Sequence, residues 1–410
     1  MNNNLRLIYS YWRIRIFYSI FFGYIFFNFS KRSLVLLSPF MITELHFSLN
    51  EIGLMSSIFY IIYGISKFFN GIISDKFNSR YVMSLGLSLT GFFNIFIGFS
   101  YDVDFILFFW GLNAVFQGCG WSSITKQLTH WYNNQERGFL WGVCSTSNNI
   151  GSALVPLVFG YFSVEFGWRF CIKVIGFICV FAGLILFNRL RNTPESVGLP
   201  SIEIFNENKH SYNFYIIKSN KLFYDKFILF LCISYFFIYI IRTSFNDWSI
   251  LYFINQRGYS FFSAELVISY FEIGGIFGMI ISGYITDILF NGKRIFFIFI
   301  CLFFLLIFSI ILYNIPTGYK KFDYFLVFLI GFFVFSPQML VGLLASEVVS
   351  KDQACTANGF VGCWAYLGAA VAGYPFSLII NISWNIFFSV LVICSCFLLF
   401  LILPFLFKKI

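Results

Sequence analysis

Apolar stretches of about 20 residues recur along the chain from near Ile16 to Phe407, each long enough to cross ~30 Å of hydrocarbon as a helix. Twelve can be placed, over 16 to 40, 52 to 73, 81 to 99, 104 to 125, 138 to 162, 170 to 188, 227 to 255, 264 to 286, 295 to 313, 323 to 346, 357 to 380 and 384 to 407. Backbone groups in lipid must be satisfied within the spanning element, so the alternative is a closed barrel. A barrel would need short alternating strands instead of these continuous apolar runs. With 59% hydrophobic and 11% charged residues and a mean hydropathy of +0.81, a water-soluble enzyme is excluded. The expected fold class is an all-α membrane protein with twelve transmembrane helices.

Charge sets the expected orientation. With the N-terminus in the cytoplasm, 18 of the 27 Lys and Arg residues fall on the cytoplasmic side and five (Arg169, Lys173, Arg257, Lys320, Lys321) on the other. This bias fits the positive-inside rule and places both termini in the cytoplasm, so the net charge of +9 is mostly a topology signal and implies no nucleic-acid partner. The first apolar run is long enough to stay as a span, and no cleavage is expected. Ten cysteines without a CxxC pair and three separated histidines (His46, His130, His210) support neither a disulfide framework nor a metal site. The 62 phenylalanines are read as lipid-facing filler.

Four cations fall inside spans: Lys31, Arg32, Lys67 and Arg242. A charge at the centre of a membrane helix costs at least ~2.5 to 3.5 kcal/mol on insertion scales, so each needs a partner or a polar cavity. The longest polar stretch, 189–226, divides six spans from six, giving an expected N-terminal half 1–188, a cytoplasmic linker 189–226 and a C-terminal half 227–410. Gly71-Ile72-Ile73-Ser74-Asp75-Lys76 closes the second span, and Gly283-Tyr284-Ile285-Thr286-Asp287 closes the eighth, 212 residues later. The same offset carries Lys31 to within one residue of Arg242. Each half thus places a cation at a matching depth of its first helix, facing the other half. Two opposed cations in a central cavity suit an anion, and a phosphate offers charge and acceptors for both.

The turn from Gly71 to Lys76, continuing to Arg80, resembles the cytoplasmic loop motif of the major facilitator superfamily. That resemblance gives Asp75 and Arg80 a gating role. Longer strings narrow it: GYIFFNFSKRS (Gly23 to Ser33), YGISKF (Tyr63 to Phe68), QGCGW (Gln117 to Trp121), LTHWYNNQERG (Leu128 to Gly138), RNTPESVGLP (Arg191 to Pro200) and GFVGCWAYLGAAVAGYP (Gly359 to Pro375). Together they resemble the organophosphate:phosphate antiporter family, and the last string resembles its hexose-phosphate branch. The resemblance runs over essentially the whole chain.

It implies a bacterial inner-membrane transporter, expected as a monomer in the lipid bilayer, that exchanges a sugar phosphate for inorganic phosphate by alternating access. Glucose 6-phosphate is the expected substrate, and no cofactor is implied. The family's two essential arginines fall on Arg242 and on Lys31. The second is a departure, because the family order Arg-Lys is inverted here to Lys31-Arg32, and Lys lacks the planar fork of Arg. Neighbouring helix positions point ~100° apart, so Arg32 is not expected to stand in for it. Tyr24, Tyr63, Lys67, Gln117, Trp121 and Tyr366 match cavity-lining positions. Asn148 stands where the family carries a substrate-linked His and cannot titrate near neutral pH. Asp247 and Glu272 are expected to balance the cations, with an Arg32–Asp247 pair bridging the halves. The family also contains a sugar-phosphate sensor that signals to a kinase partner, and this remains the alternative reading. No phosphate-cradling Gly loop or catalytic triad supports an enzyme.

Overall fold

The computed structural model describes residues 3–45, 49–202, 217, 221–290 and 292–406. His46, His210, residues 203–216 and 218–220 of the expected linker, and the basic pair Lys408 and Lys409 lie outside the described residues. Six long helices form the first half: α1 (Asn3–Leu45), α2 (Leu49–Lys76), α3 (Ser79–Phe99), α4 (Val103–Trp131), α5 (Asn134–Phe166) and α6 (Trp168–Arg189). The second half holds α7 (Lys226–Asn255), α8 (Phe261–Ile288), α9 (Arg294–Asn314), α10 (Lys320–Glu347), α11 (Ala354–Ala372), α12 (Tyr374–Ile382) and α13 (Trp384–Leu406). Among the described residues there is no strand, only an isolated bridge between Ile217 and Val349.

Ten stretches among the described residues are long and apolar enough to cross a membrane, one of them running through both α11 and α12. Helices α1 and α5 complete the twelve. Each carries a polar patch, 28–33 in α1 and 145–149 in α5, and those patches are turned inward. The outward faces are rich in phenylalanine, with Phe177, Phe181 and Phe400 largely exposed, as expected of side chains that meet lipid.

The two largest departures from the expected boundaries are in the first and eleventh spans. Helix α1 begins near the start of the chain instead of at residue 16, because no helix breaker interrupts it. The extension is held by Arg13, which pairs with Glu136, and by the Tyr132 hydroxyl donating to the Arg13 carbonyl at 2.6 Å. The eleventh span is not one continuous helix. Pro375 lacks an N–H and crowds the turn before it, so α11 ends at Ala372 and α12 restarts after Gly373. The Trp248 indole N–H, from α7, donates to the Ala372 carbonyl at 2.9 Å, satisfying an acceptor at the end of α11.

The halves meet closely along α2 with α11 and α5 with α8. Glycines make this possible: a Cβ on Gly71 would strike the Cys355 carbonyl, and one on Gly142 the Met279 carbonyl. Linker residues join this seam. The Ile217 N–H donates to the Val348 carbonyl at 2.8 Å, and the Phe223 ring sits 5.8 Å from Phe68 of α2 and 5.1 Å from Phe360 of α11.

Candidate functional site: a cationic cleft between the halves

Two adjoining clefts lie between the halves and share a wall made of Tyr239, Arg242 and Tyr366. The first, about 590 Å³, is lined by Lys31 and Arg32 of α1, Tyr60 of α2, Trp110 of α4 and Asn246 of α7, among others. The second, about 470 Å³, lies nearer the helix ends that carry the α2–α3 turn and takes in Tyr24, Lys67, Trp121, Trp141, Asn148 and Gln338.

Tyr366 is the hub. Its hydroxyl accepts from Lys31 Nζ at 3.2 Å, and its ring stands edge-on to Tyr63 at 4.4 Å and 5.3 Å from Tyr239. Lys31 Nζ lies 4.9 Å from the Tyr63 ring centroid and 5.2 Å from that of Tyr366, while Lys67 Nζ lies 5.6 Å from Tyr366. Arg242 packs its guanidinium over Tyr239 at 5.3 Å and Phe335 at 4.8 Å. Aromatic rings thus lie against all three cations and help to fix their positions without cancelling their charge.

Two kinds of cation contrast among the helices. Arg257 pairs with Asp323 at 2.7 Å, and Arg294 pairs with Asp287 at 2.9 Å and Glu347 at 2.7 Å, with every partner almost fully buried. By contrast, among the described residues none of Lys31, Arg32, Lys67 and Arg242 has a carboxylate within 4.0 Å. The first kind neutralises itself. The second concentrates positive charge in a low-dielectric cleft, where it attracts an anion.

Several expected site residues are placed differently from the sequence reading. Gln117 does not line either cleft. It is buried inside the first half, donating to the Phe27 carbonyl and to Asn113 Oδ1, both at 3.2 Å, in a network with Ser30 and Asn94. Tyr63 lies one layer behind the cleft, supporting Lys31 and Tyr366. Arg32 lines the same cleft as Lys31 despite its different direction on the helix, because both side chains are long enough to curve into it. The Arg32–Asp247 pair is not formed. Asp247 instead accepts from the neighbouring Asn246 amide at 2.8 Å and feels Arg32, Arg242 and Lys31 only through space. Glu272 is buried, with Oε2 lacking a hydrogen-bond partner, and acts on Arg242 and Arg32 at longer range.

The loop residues separate in role. The Asp75 carboxylate accepts from the backbone N–H groups of Cys355 (3.1 Å) and Thr356 (2.7 Å) and from the Thr356 hydroxyl (2.6 Å), so α2 of one half caps the first turn of α11 in the other. Asp287 of the second half also reaches across the seam, accepting from the Phe139 N–H in the second turn of α5 at 2.8 Å. Arg80 makes no such crossing. It donates to the Phe187 carbonyl at 2.5 Å and stacks on the Phe187 ring, fastening α3 to α6 within the first half.

Tyr239, Trp141, Ser145, Asn149 and Gln338 line the clefts but escaped the sequence reading. Helical spacing offered a signal for most of them: Tyr239 precedes Arg242 by three residues, and Trp141, Ser145 and Asn149 recur at intervals of four on one face of α5.

The profile of the Major Facilitator Superfamily matches residues 20–373. The chain belongs to the major facilitator superfamily and, within it, to the organophosphate:phosphate antiporter family. It is 42% identical, over 97% of its length and 91% of the relative's, to a Chlamydia trachomatis protein named "Probable hexose phosphate transport protein". It is 36% identical, over 97% and 92%, to "Membrane sensor protein UhpC" of Salmonella typhimurium. A solved proton:xylose symporter of the superfamily, XylE, superposes with a TM-score of 0.75 over 97% of this chain and 96% of that one, at 12% identity, and shares the fold. Family membership makes this chain a multi-pass membrane transport protein and not an enzyme.

Proposed function

We propose that the protein is a secondary active transporter that exchanges a sugar phosphate, glucose 6-phosphate foremost, for inorganic phosphate across a bacterial inner membrane, with both termini in the cytoplasm. The observation that carries this reading is the convergence of Lys31, Arg32 and Arg242 on one inter-half cleft without a carboxylate partner. A phosphate dianion supplies charge and acceptors for several of these donors at once. Both exchanged substrates carry that group, so one set of cations serves both directions. The 42% identity to a protein named for hexose phosphate transport supports the sugar.

The halves 1–188 and 227–410 rock about this cleft, and 189–226 tethers them. On the face carrying the α2–α3 turn, the Asp75 cap, the Asp287–Phe139 hydrogen bond and the glycine contacts hold the halves together. Opening on that side requires both carboxylate contacts to be given up. Phosphate bound between Lys31 and Arg242 draws the halves together at the opposite end, and this differential contact shifts the equilibrium.

The test is uptake of labelled glucose 6-phosphate into proteoliposomes loaded with or without inorganic phosphate. Uptake that depends on internal phosphate is the expected result. Specific binding by folded protein without uptake would assign the chain to the sensor class, to which one relative belongs by name.

A further inference from the structure

The cations account for the phosphate end of the substrate and leave the other end without a site. The second cleft differs from the first in its chemistry. It contains two side-chain acceptors that are shielded from solvent and have no hydrogen-bond partner, Asn149 Oδ1 of α5 and Gln338 Oε1 of α10. The orientation of the Asn149 amide is set by its other end. Its Nδ2 donates to the Glu272 carbonyl at 3.4 Å, a group that can only accept, so the amide oxygen is the atom left over. The phosphoryl group of a sugar phosphate, as its dianion, satisfies neither oxygen, because it too only accepts. A sugar hydroxyl can, because it donates.

We propose that Asn149 and Gln338 form the sugar-reading face of the site and that they determine which sugar phosphate is carried. Hydroxyls of the sugar donate to Asn149 Oδ1 and Gln338 Oε1 in the second cleft, while the phosphate is held in the first. Arg242, on the wall common to both clefts, marks the junction between the two ends of the ligand. The aromatic series Tyr24, Trp121 and Trp141, with ring centroids 5.2 Å and 5.7 Å apart in turn, offers apolar faces to the C–H side of a pyranose. Asn149 belongs to the first half and Gln338 to the second, so a sugar held by both bridges the halves, whereas inorganic phosphate reaches neither. The assignment rests on the sugar-phosphate reading above.

The test uses the full-length chain in proteoliposomes, with exchange of labelled inorganic phosphate as the assay and glucose 6-phosphate and its singly deoxygenated analogues as inhibitors. The ratio of half-inhibition by glucose 6-phosphate to that by unlabelled phosphate is measured within each variant, so differences in folded yield cancel. Asn149→Leu and Gln338→Met are each expected to shift this ratio about tenfold against the sugar phosphate, the scale of a lost hydrogen bond in a site built for it. In the wild-type protein, at least one deoxy analogue is expected to inhibit about tenfold more weakly than glucose 6-phosphate, and that penalty disappears in one of the two variants. A ratio unchanged in both variants overturns the assignment. So does wild-type protein that treats every deoxy analogue like the parent, a result that needs no variant to fold. Wild-type protein that exchanges phosphate but is inhibited by no sugar phosphate overturns the underlying reading as well, and is distinguishable from the other two results.

Discussion

Lys31 Nζ donates to the Tyr366 hydroxyl at 3.2 Å, joining the first helix of one half to the eleventh span of the other across 335 residues of sequence. The bond leaves a cation resting on a neutral acceptor, with the rings of Tyr63 and Tyr366 beneath it. A neutral acceptor positions the ammonium without cancelling its charge, which a carboxylate there would do.

Tyr366→Phe keeps the ring and removes the acceptor. The expected effect is a rise of about fivefold in half-saturation for phosphate, corresponding to a hydrogen bond of ~1 kcal/mol, with insertion unaltered. Initial rates of phosphate exchange across a concentration series check it, and an unchanged half-saturation would show that the bond does not position Lys31. Lys31→Arg is the companion: it supplies the planar fork that the family resemblance implies at this position and is expected to lower the half-saturation for phosphate in the same assay.

Arg294 and Arg242 should respond differently to the same change. Arg294→Leu strands Asp287 and Glu347 without their cation and is expected to cost ~3 to 5 kcal/mol of stability, read as a lowered melting temperature in detergent. Arg242→Leu removes a cation with no carboxylate in contact. It should abolish exchange while lowering the melting temperature far less. Equal losses of stability in the two variants would contradict the distinction between paired and substrate-facing cations.

Asp75→Ala deletes the acceptor for three donors at the start of α11. Each unmade bond costs ~1 to 3 kcal/mol, enough to shift a balanced two-state equilibrium by tenfold or more. Spin labels at Lys76 and Lys351 should report a larger population of long distances than in the parent protein. A distance distribution identical to the parent's would mean that the cap does not hold the halves together.

Trp248→Phe leaves the Ala372 carbonyl without its indole donor at the break before Pro375. A stability loss of ~1 kcal/mol is expected. Faster amide exchange at 376–382 than in the parent protein would localise it to α12.

Much of the architecture is legible in one dimension because its causes are local. A bilayer demands about 20 apolar residues per helix, and that run length can be counted wherever it occurs. The offset of 212 residues between the Asp75 and Asp287 turns likewise exposes the two halves, and the four intramembrane cations mark themselves by their cost. Family strings then pointed to Tyr24, Lys67, Trp121 and Tyr366, all of which line the clefts.

What the sequence could not decide depends on which helix face meets which neighbour. Gln117 and Gln338 are the same residue type on apolar helices, yet Gln117 spends its amide on the Phe27 carbonyl and Asn113 while Gln338 keeps an oxygen free in a cleft. Asp75 and Arg80 sit in one short motif, yet one crosses between the halves and the other stays within its own. The sequence by itself determined the membrane helices, the repeat and the presence of unbalanced charge. Only the tertiary structure decided that Arg257 and Arg294 are neutralised while Lys31, Arg32, Lys67 and Arg242 are not, because a buried charge is settled by atoms within 4.0 Å, and here those atoms come from distant parts of the chain.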